Sequence, residues 1–231
     1  GFRFAAAMKP TSLLGPSLSI RKHSPVHLGL DDYVSQGAVS DDMAGLLRSM
    51  IRERKNVLVA GGTSSGKTTF VNALIAEVDP AERVVTIEDT QELAVKAPNW
   101  VALVSNEQEG VTTRDLVRLS LRFRPDRIIV GEVRDGAALT LLKAWNTGHP
   151  GGVATIHANS AESALRRLEQ LTAEASQQPM QDVIGEAVDL IVSIERTPKG
   201  RIVRDVLHVE SFSGGRYQIE SYAQKDRAHV A

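Results

Sequence analysis

From residue 43 onward, short apolar runs alternate with segments in which apolar residues recur every three or four positions. Runs rich in β-branched residues predict buried strands, and amphipathic segments predict helices. The predicted strands are 56–60, 83–87, 101–104, 128–130 and 153–156, and the predicted helices are 43–54, 67–77, 113–123 and 136–145. Such alternation predicts a mostly parallel sheet covered by helices, which is the α/β class.

The two ends of the chain follow other patterns. Residues 1–30 contain "GFRFAAAM" and "SLSIRK", two runs with strand character separated by turns, and we expect them to be the C-terminal part of a truncated, β-rich N-terminal domain. Residues 31–42 are polar with little periodicity, which predicts a linker before a main domain at 43–231. From residue 189 on, runs separated by "PKG" and "SGG" predict antiparallel hairpins appended to the sheet.

The composition is that of a globular protein. The chain has 231 residues, of which 42% are hydrophobic and 24% charged, and its formal net charge is -1. No strong affinity for nucleic acid or membrane surfaces follows from this balance, and direct binding of nucleic acid stays open. The chain has no cysteine, which excludes disulfides, cysteine zinc sites and thiol chemistry and is compatible with the cytoplasm. No apolar run approaches the roughly 18 residues that span a bilayer.

The strongest chemical signal is "NVLVAGGTSSGKTTF", in which Gly61, Gly66, Lys67 and Thr68 fit the phosphate-binding loop pattern between a strand and a helix. Backbone N–H groups of such a loop surround phosphates, the lysine reaches the β- and γ-phosphates, and the hydroxyl of Thr68 binds Mg²⁺. The residues expected to contact the phosphates are Gly61, Gly62, Thr63, Ser64, Ser65, Gly66, Lys67, Thr68 and Thr69. A glycine-rich turn without a ligand is the alternative.

Acidic residues follow two of the predicted strands: Glu88 and Asp89 after one, Glu132 after the other. Parallel strands beside the phosphate loop would bring these carboxylates near the γ-phosphate, where hydrolysis needs a group that orients or deprotonates water. Nucleotide hydrolases usually carry an aspartate directly after this strand, but here that residue is Gly131. We therefore expect Glu132 to activate water or to contact the metal's water shell; a helix-capping carboxylate is the alternative for both glutamates.

His157 follows the strand 153–156, at the edge of the sheet where ligands bind in open α/β folds. Asn159 and Glu162 predict the cap of the next helix. A metal role for His157 is poorly supported because no ligand spacing surrounds it. The preferred hypothesis is a sensor that hydrogen-bonds the γ-phosphate or the water-activating glutamate, and a structural histidine is the alternative.

Arginines recur at Arg114, Arg118 and Arg122, a four-residue spacing that places them on one helical face, and Arg124 follows just before Pro125. Such a stripe is usually a solvated surface. It is also the kind of surface that a multimeric hydrolase presents to the nucleotide of a neighbouring subunit.

Four ordered motifs together resemble those of the type II/type IV secretion-system ATPase family, and most closely the conjugal-transfer ATPases (TrbB-like). They are "GGTSSGKTT", "TIEDTQEL", "RPDRIIVGEVRDG" and "LLKAWNTGHPGGVATIHANSAESALRRLEQL". The resemblance implies a RecA-like P-loop domain in a ring, expected to be a hexamer, with ATP and Mg²⁺ at the subunit interfaces. It also implies the following roles: phosphate and Mg²⁺ binding by Lys67 and Thr68, the acidic box for Glu88, the Walker B glutamate for Glu132, the histidine box for His157, and nucleotide contacts for Arg21 and, as weaker matches, Arg3 and Arg124.

The function expected from this resemblance is ATP hydrolysis that powers conjugative DNA transfer or type IV secretion. The ring would be cytoplasmic and held peripherally at the inner membrane by inner-membrane components of the secretion system. Pilus-assembly and tight-adherence secretion motors, or a nucleotide-gated scaffold with low turnover, are the alternatives. A nucleic-acid translocase is less favoured, since the near-neutral chain has few aromatic residues for stacking.

Overall fold

A computed structural model describes residues 2–22 and 28–223. Within these residues an eight-stranded sheet has the order β10-β9-β8-β3-β7-β6-β4-β5, and β1 and β2 form a separate antiparallel pair. The strands are β1 (Phe2–Ala7), β2 (Ser17–Lys22), β3 (Val57–Gly61), β4 (Val84–Glu88), β5 (Trp100–Val104), β6 (Arg127–Val133), β7 (Val153–His157), β8 (Leu190–Thr197), β9 (Gly200–Ser213) and β10 (Arg216–Ala223). The α-helices are α1 (Leu30–Ser35), α2 (Asp41–Arg52), α3 (Lys67–Ile75), α4 (Thr113–Ser120), α5 (Ala137–Asn146), α6 (Ala161–Ala173) and α7 (Gln181–Ala187).

The sheet has the mixed arrangement that the sequence pattern predicts. Strands β3 to β8 run parallel to one another, whereas β9 and β10 are antiparallel additions at one edge. Because β3 and β4 are covered on both faces, all their residues are buried, as their continuous apolar runs require. The parallel strands all end at the same edge, which places their last residues side by side.

Two hydrophobic layers cover the sheet, one on each face. Along β3, Leu58 packs in the layer formed by α4 to α7, and Val57 and Val59 pack in the layer formed by α1 to α3. This division follows from the alternation of side chains along a strand. The aromatic ring of Phe70 on α3 is fully buried in the second layer and fixes that helix against the sheet.

Residues 31–42 differ from the linker that their polar composition predicts. The short helix α1 buries Leu30 and Tyr33, and the Tyr33 ring meets Phe70 edge-on with centroids 5.1 Å apart. After the helix, the backbone oxygen of Ala38 accepts a hydrogen bond from Val203 N at 3.0 Å. The linker prediction is wrong for this segment, which belongs to the core. Its helix is too short for apolar periodicity to be visible in the sequence.

Helix boundaries differ from the sequence predictions where side-chain caps decide them. The Ser40 hydroxyl caps α2 by accepting a hydrogen bond from Met43 N, so this helix begins two residues before the predicted start. Helix α6 is capped by Ser160, which exchanges hydrogen bonds with Ser163, and not by Asn159 as predicted. Helix α4 ends at Ser120, and Leu121–Phe123 form a separate 3₁₀ turn that holds Arg122.

The β1–β2 pair carries apolar side chains in solvent, with Phe4 65% and Ile20 60% exposed. It therefore has an uncovered apolar face in this chain, in accord with the predicted strands of a β-rich N-terminal region. None of the helices in the described part of the chain is both long and apolar enough to cross a bilayer.

Candidate functional site

A cavity of about 600 Å³ opens at the edge of the sheet where the parallel strands end. The last residues of β4 and β7 and the loop after β3 line it. It brings together most of the residues that the sequence predicted for the site, namely Arg21, residues 63–69, Glu88, Glu132 and His157. Open α/β sheets bind ligands at this edge.

The loop between β3 and α3 has the backbone that its glycines allow. Gly66 has φ +99° and caps α3, and Ser64 has φ +60°. A Cβ atom at Gly61 would lie 2.5 Å from the backbone oxygen of Ile194 on β8, so the loop begins where no side chain fits. The Ser65 hydroxyl is buried and has no hydrogen-bond partner in the described residues.

Lys67, the first residue of α3, turns its side chain back over the loop. Its Nζ donates to the backbone oxygens of Gly61 at 2.8 Å and Gly62 at 3.0 Å. Burial lowers the pKa of Lys67, and the negative charge of Glu132 opposes that shift. The ammonium group therefore lies within electrostatic reach of the predicted water-activating glutamate.

Glu88 ends β4 and is only 7% exposed. Its Oε1 accepts hydrogen bonds from the backbone N–H groups of Glu92 at 2.9 Å and Leu93 at 3.0 Å. The glutamate side chain occupies the space beside Gly131 on β6, where a Cβ atom would lie 2.9 Å from Glu88 Cγ. The glycine that replaces the usual aspartate is thus explained by the packing of the neighbouring strand.

Glu132 belongs to a charged group at the ends of β4 and β6. Its Oε2 accepts from Arg134 Nε at 2.8 Å, and Arg134 Nη1 donates to Asp89 Oδ2 at 2.5 Å. Asp89 also accepts a hydrogen bond from the hydroxyl of Ser105 at 2.9 Å. Burial, which lowers the pKa of Arg134, is outweighed by Glu132 and Asp89, and the net shift is upward. The guanidinium of Arg134 thus bridges the carboxylates of Glu132 and Asp89.

His157, the last residue of β7, pairs in register with Gly61, so it lies level with the start of the phosphate loop. Its imidazole is exposed and makes no hydrogen bond or ion pair with the described residues. The group of histidine and acidic side chains that lies close enough to share a metal ion within the described ranges is His208, Glu210 and Glu220, on β9 and β10. It does not include His157, so the structure gives no support to a metal role.

Comparison with known proteins identifies the family. Residues 2–206 match the family model described as "Type II/IV secretion system protein". The chain belongs to this family. It is 55% identical to "Probable conjugal transfer protein TrbB" of Sinorhizobium fredii and to "Conjugal transfer protein TrbB" of Rhizobium radiobacter; each match covers 100% of this chain and 72% of the relative.

Among solved structures, this secretion-system protein resembles the VirB11 ATPase from the Brucella suis type IV secretion system, crystallised in complex with sulphate. The TM-score is 0.69 at 28% identity, and the match covers 90% of this chain and 71% of the other. The predicted family and the predicted α/β fold with C-terminal hairpins are thereby confirmed.

The cavity residues of this secretion-system protein that were not predicted from the sequence include two arginines, Arg134 and Arg201. The sequence could have indicated Arg134, because it follows Glu132 by two residues and residues two apart along a strand lie on the same face of the sheet. No local sequence pattern predicts the position of Arg201, because only the packing of β9 brings this residue to the loop after β3.

The predicted arginines behave differently from one another. Arg21, at the end of β2, lines the cavity with its Nη2 3.5 Å from Glu92 Oε2. Arg124 is exposed, has φ +51° and does not line the cavity of its own chain. The side chain of Arg3 lies outside the described residues. Of the predicted arginines, Arg21 alone is placed at the site of the same chain by the described side chains.

Proposed function

We propose that this chain hydrolyses ATP with Mg²⁺ and acts as the ring-forming motor of conjugative DNA transfer or type IV secretion. The observation that supports it most is the meeting of Lys67, Glu132 and His157 in one cavity beside the phosphate loop. The relatives that match the whole chain at 55% identity carry names of conjugal transfer proteins, which favours conjugation over pilus assembly.

The loop has the features that a nucleoside triphosphate requires. Gly66 has a left-handed backbone, which lets the N–H groups of a phosphate loop turn inward. The buried Ser65 hydroxyl has no hydrogen-bond partner among residues 2–22 and 28–223. Lys67 is held by the weak acceptors Gly61 O and Gly62 O, from which it can move to a phosphate oxygen. A charged phosphate oxygen accepts a stronger hydrogen bond than a backbone carbonyl, so Lys67 would bind the phosphate in preference to Gly61 O and Gly62 O.

The cavity also offers oxygen ligands of the kind that Mg²⁺ prefers. Thr68, the second residue of α3, supplies a hydroxyl, and Asp89 and Glu132 supply carboxylates that can accept hydrogen bonds from metal-bound water. Magnesium, when bound, neutralises charge on the phosphate oxygens. Thr68 would hold it directly, as predicted, while Glu88 is committed to backbone N–H groups and has a positioning role.

Glu132 is the residue that we assign to water activation. The hydrogen bond from Arg134 Nε and the ion-pair contact from Arg134 Nη2 both fall on Oε2, which leaves Oε1 to accept the proton of an attacking water molecule. His157 has a free imidazole at the same edge and can donate to the γ-phosphate or to Glu132. Its contact would form when ATP is bound and be lost after hydrolysis, which makes it a sensor.

The exposed arginines favour nucleotide sites to which a neighbouring subunit contributes an arginine. Arg114, Arg118 and Arg124 are exposed and do not line the cavity of their own chain, so they are available to meet the nucleotide of a neighbour. The uncovered apolar face of β1–β2 favours association as well. We infer a hexameric ring, held at the cytoplasmic side of the inner membrane by inner-membrane secretion components.

Phosphate release from ATP, with and without Mg²⁺, tests this function in the chain and in Lys67→Ala. We expect Mg²⁺-dependent turnover that the substitution reduces by at least about 100-fold, because the lysine contacts the reacting phosphate. Turnover that is equal in the two proteins would contradict the proposal. Binding of ATP without any turnover would instead support the nucleotide-gated scaffold.

A further inference from the structure

Arg201 lies against the phosphate loop although it comes from the far end of the chain. It is the second residue of β9, directly after the β8–β9 hairpin. A Cβ atom at Gly66 would lie 2.6 Å from Arg201 Cδ and 2.6 Å from its Nε, so the side chain crosses the face of the last loop glycine. The side chain also lines the cavity together with Lys67.

The guanidinium of Arg201 has no counter-ion in the described residues, where it makes no hydrogen bond and no ion pair. Three of the other cations that line the cavity are engaged: Arg134 by Glu132, Arg21 by Glu92 and Lys67 by loop carbonyls. An exposed, unpaired guanidinium that touches a phosphate loop is available to bind an anion. Its planar group of N–H donors suits two oxygens of one phosphate.

Arg201 and Lys67 approach the loop from different sides. The ammonium of Lys67 interacts with Glu132, at the end of β6. Arg201 lies on the side of α1, because it precedes Val203 by two residues on the same strand face, and Val203 is buried in the layer of α1 to α3. Burial raises the pKa of Tyr33 on α1 to about 12, and the nearby charge of Arg201 opposes that shift.

Because Lys67 and Arg201 lie at different positions along the loop, we expect each to contact a different phosphate of the nucleotide. In a phosphate loop the lysine reaches the β- and γ-phosphates, while the loop backbone surrounds the α- and β-phosphates. In the sheet, β9 with Arg201 and β6 with Glu132 lie on opposite sides of β3. We therefore expect a guanidinium beside Gly66 to meet the phosphate that is farthest from the reacting bond. That phosphate is the α-phosphate.

We propose that Arg201 binds the α-phosphate of the nucleotide, an inference that rests on the proposed ATPase function. The contact is present before and after hydrolysis, because the α-phosphate belongs to both ATP and ADP. Arg201 thus fixes the nucleotide in the loop, whereas Lys67 and His157 respond to the γ-phosphate. The β8–β9 hairpin is thereby coupled to occupancy of the loop by either nucleotide.

Calorimetric binding of ATP, ADP and inorganic tripolyphosphate, each with Mg²⁺, to the wild-type chain and to Arg201→Ala tests the proposal. We expect the Kd to rise about tenfold for each of the three ligands, the loss of one charge-assisted contact. Arg201→Lys, which keeps the charge without the planar donors, should lie between the two. Arg196→Ala is the matched control, because Arg196 faces Arg201 across the hairpin and does not line the cavity.

The other outcomes overturn the proposal in distinguishable ways. Equal affinities in Arg201→Ala and wild type would remove Arg201 from the site and leave the ATPase function standing. A loss for ATP and tripolyphosphate but not for ADP would move the contact to the γ-phosphate, and a loss for ATP and ADP with unchanged tripolyphosphate affinity would move it to the sugar or base. If the wild-type chain binds none of the three ligands, the proposed function fails and this inference fails with it. Thermal unfolding of each variant verifies that it is folded.

Discussion

Arg134 holds the carboxylate of Glu132 through two contacts to one oxygen, with Nε 2.8 Å and Nη2 2.6 Å from Oε2. The same guanidinium reaches Asp89 on the neighbouring strand end. The predicted general base is therefore oriented by a residue of its own chain. A fixed carboxylate keeps one oxygen available for water in a defined direction.

Replacing Arg134 with alanine should lower kcat about tenfold and change the affinity for ATP much less. The carboxylate of Glu132 loses its orientation, which affects the chemical step, while the phosphate loop is untouched. Steady-state kinetics with separate kcat and KM values measure this. Arg204→Ala is the matched control, because Arg204 forms a similarly exposed ion pair with Glu195 outside the cavity. An unchanged kcat in Arg134→Ala would remove the positioning role.

The packing of Glu88 against residue 131 leads to a prediction about stability. Gly131→Ala should destabilise the fold by about 1–3 kcal/mol, since the new Cβ atom would lie 2.9 Å from Glu88 Cγ and both residues are in the sheet. Urea unfolding measures the change. Gly45→Ala on the exposed face of α2 is the control, because nothing lies within 4 Å and alanine is the better helix former. Equal free energies of unfolding for Gly131→Ala and wild type would show that β4 and β6 move apart enough to accommodate the Cβ atom without loss of stability.

The free imidazole of His157 predicts a separation of binding from turnover. His157→Ala should bind ATP with nearly wild-type affinity and hydrolyse it about tenfold more slowly, because its donor acts only on the γ-phosphate or Glu132. Equilibrium binding and single-turnover hydrolysis on the same preparation separate the two effects. Weakened ATP binding with a wild-type rate of hydrolysis at saturating ATP would contradict the sensor role of His157.

The exposed position of Arg124 predicts complementation between subunits. Arg124→Ala and Lys67→Ala should each be inactive alone, and an equimolar mixture should recover roughly a quarter of the wild-type rate. In a mixed ring one interface in about four pairs an intact Lys67 with an intact Arg124 of the neighbour. Activity per subunit should also rise with protein concentration as rings form. Mixtures that stay inactive while rings are present would place Arg124 outside the shared site.

The sequence predicted what depends on local patterns. The loop at 61–69 has its own motif, and Glu88, Glu132 and His157 follow apolar strands, so parallel topology alone places them together. The helix in 30–35 escaped notice because Leu30 and Tyr33 are too few to show a period. Arg201 could not be found, because its contact with Gly66 depends on how the C-terminal hairpin packs on the sheet. Distant contacts of this kind leave no trace in spacing.

In the proposed hydrolysis of ATP, Glu132 is the group that activates water. The most direct test compares ATP binding and phosphate release in Glu132→Gln and in the wild-type chain, with Mg²⁺. We expect the variant to bind ATP with an affinity within about threefold of wild type and to lose at least about 100-fold in turnover, because the amide cannot accept the proton. Wild-type turnover in Glu132→Gln would show that Glu132 does not activate the attacking water.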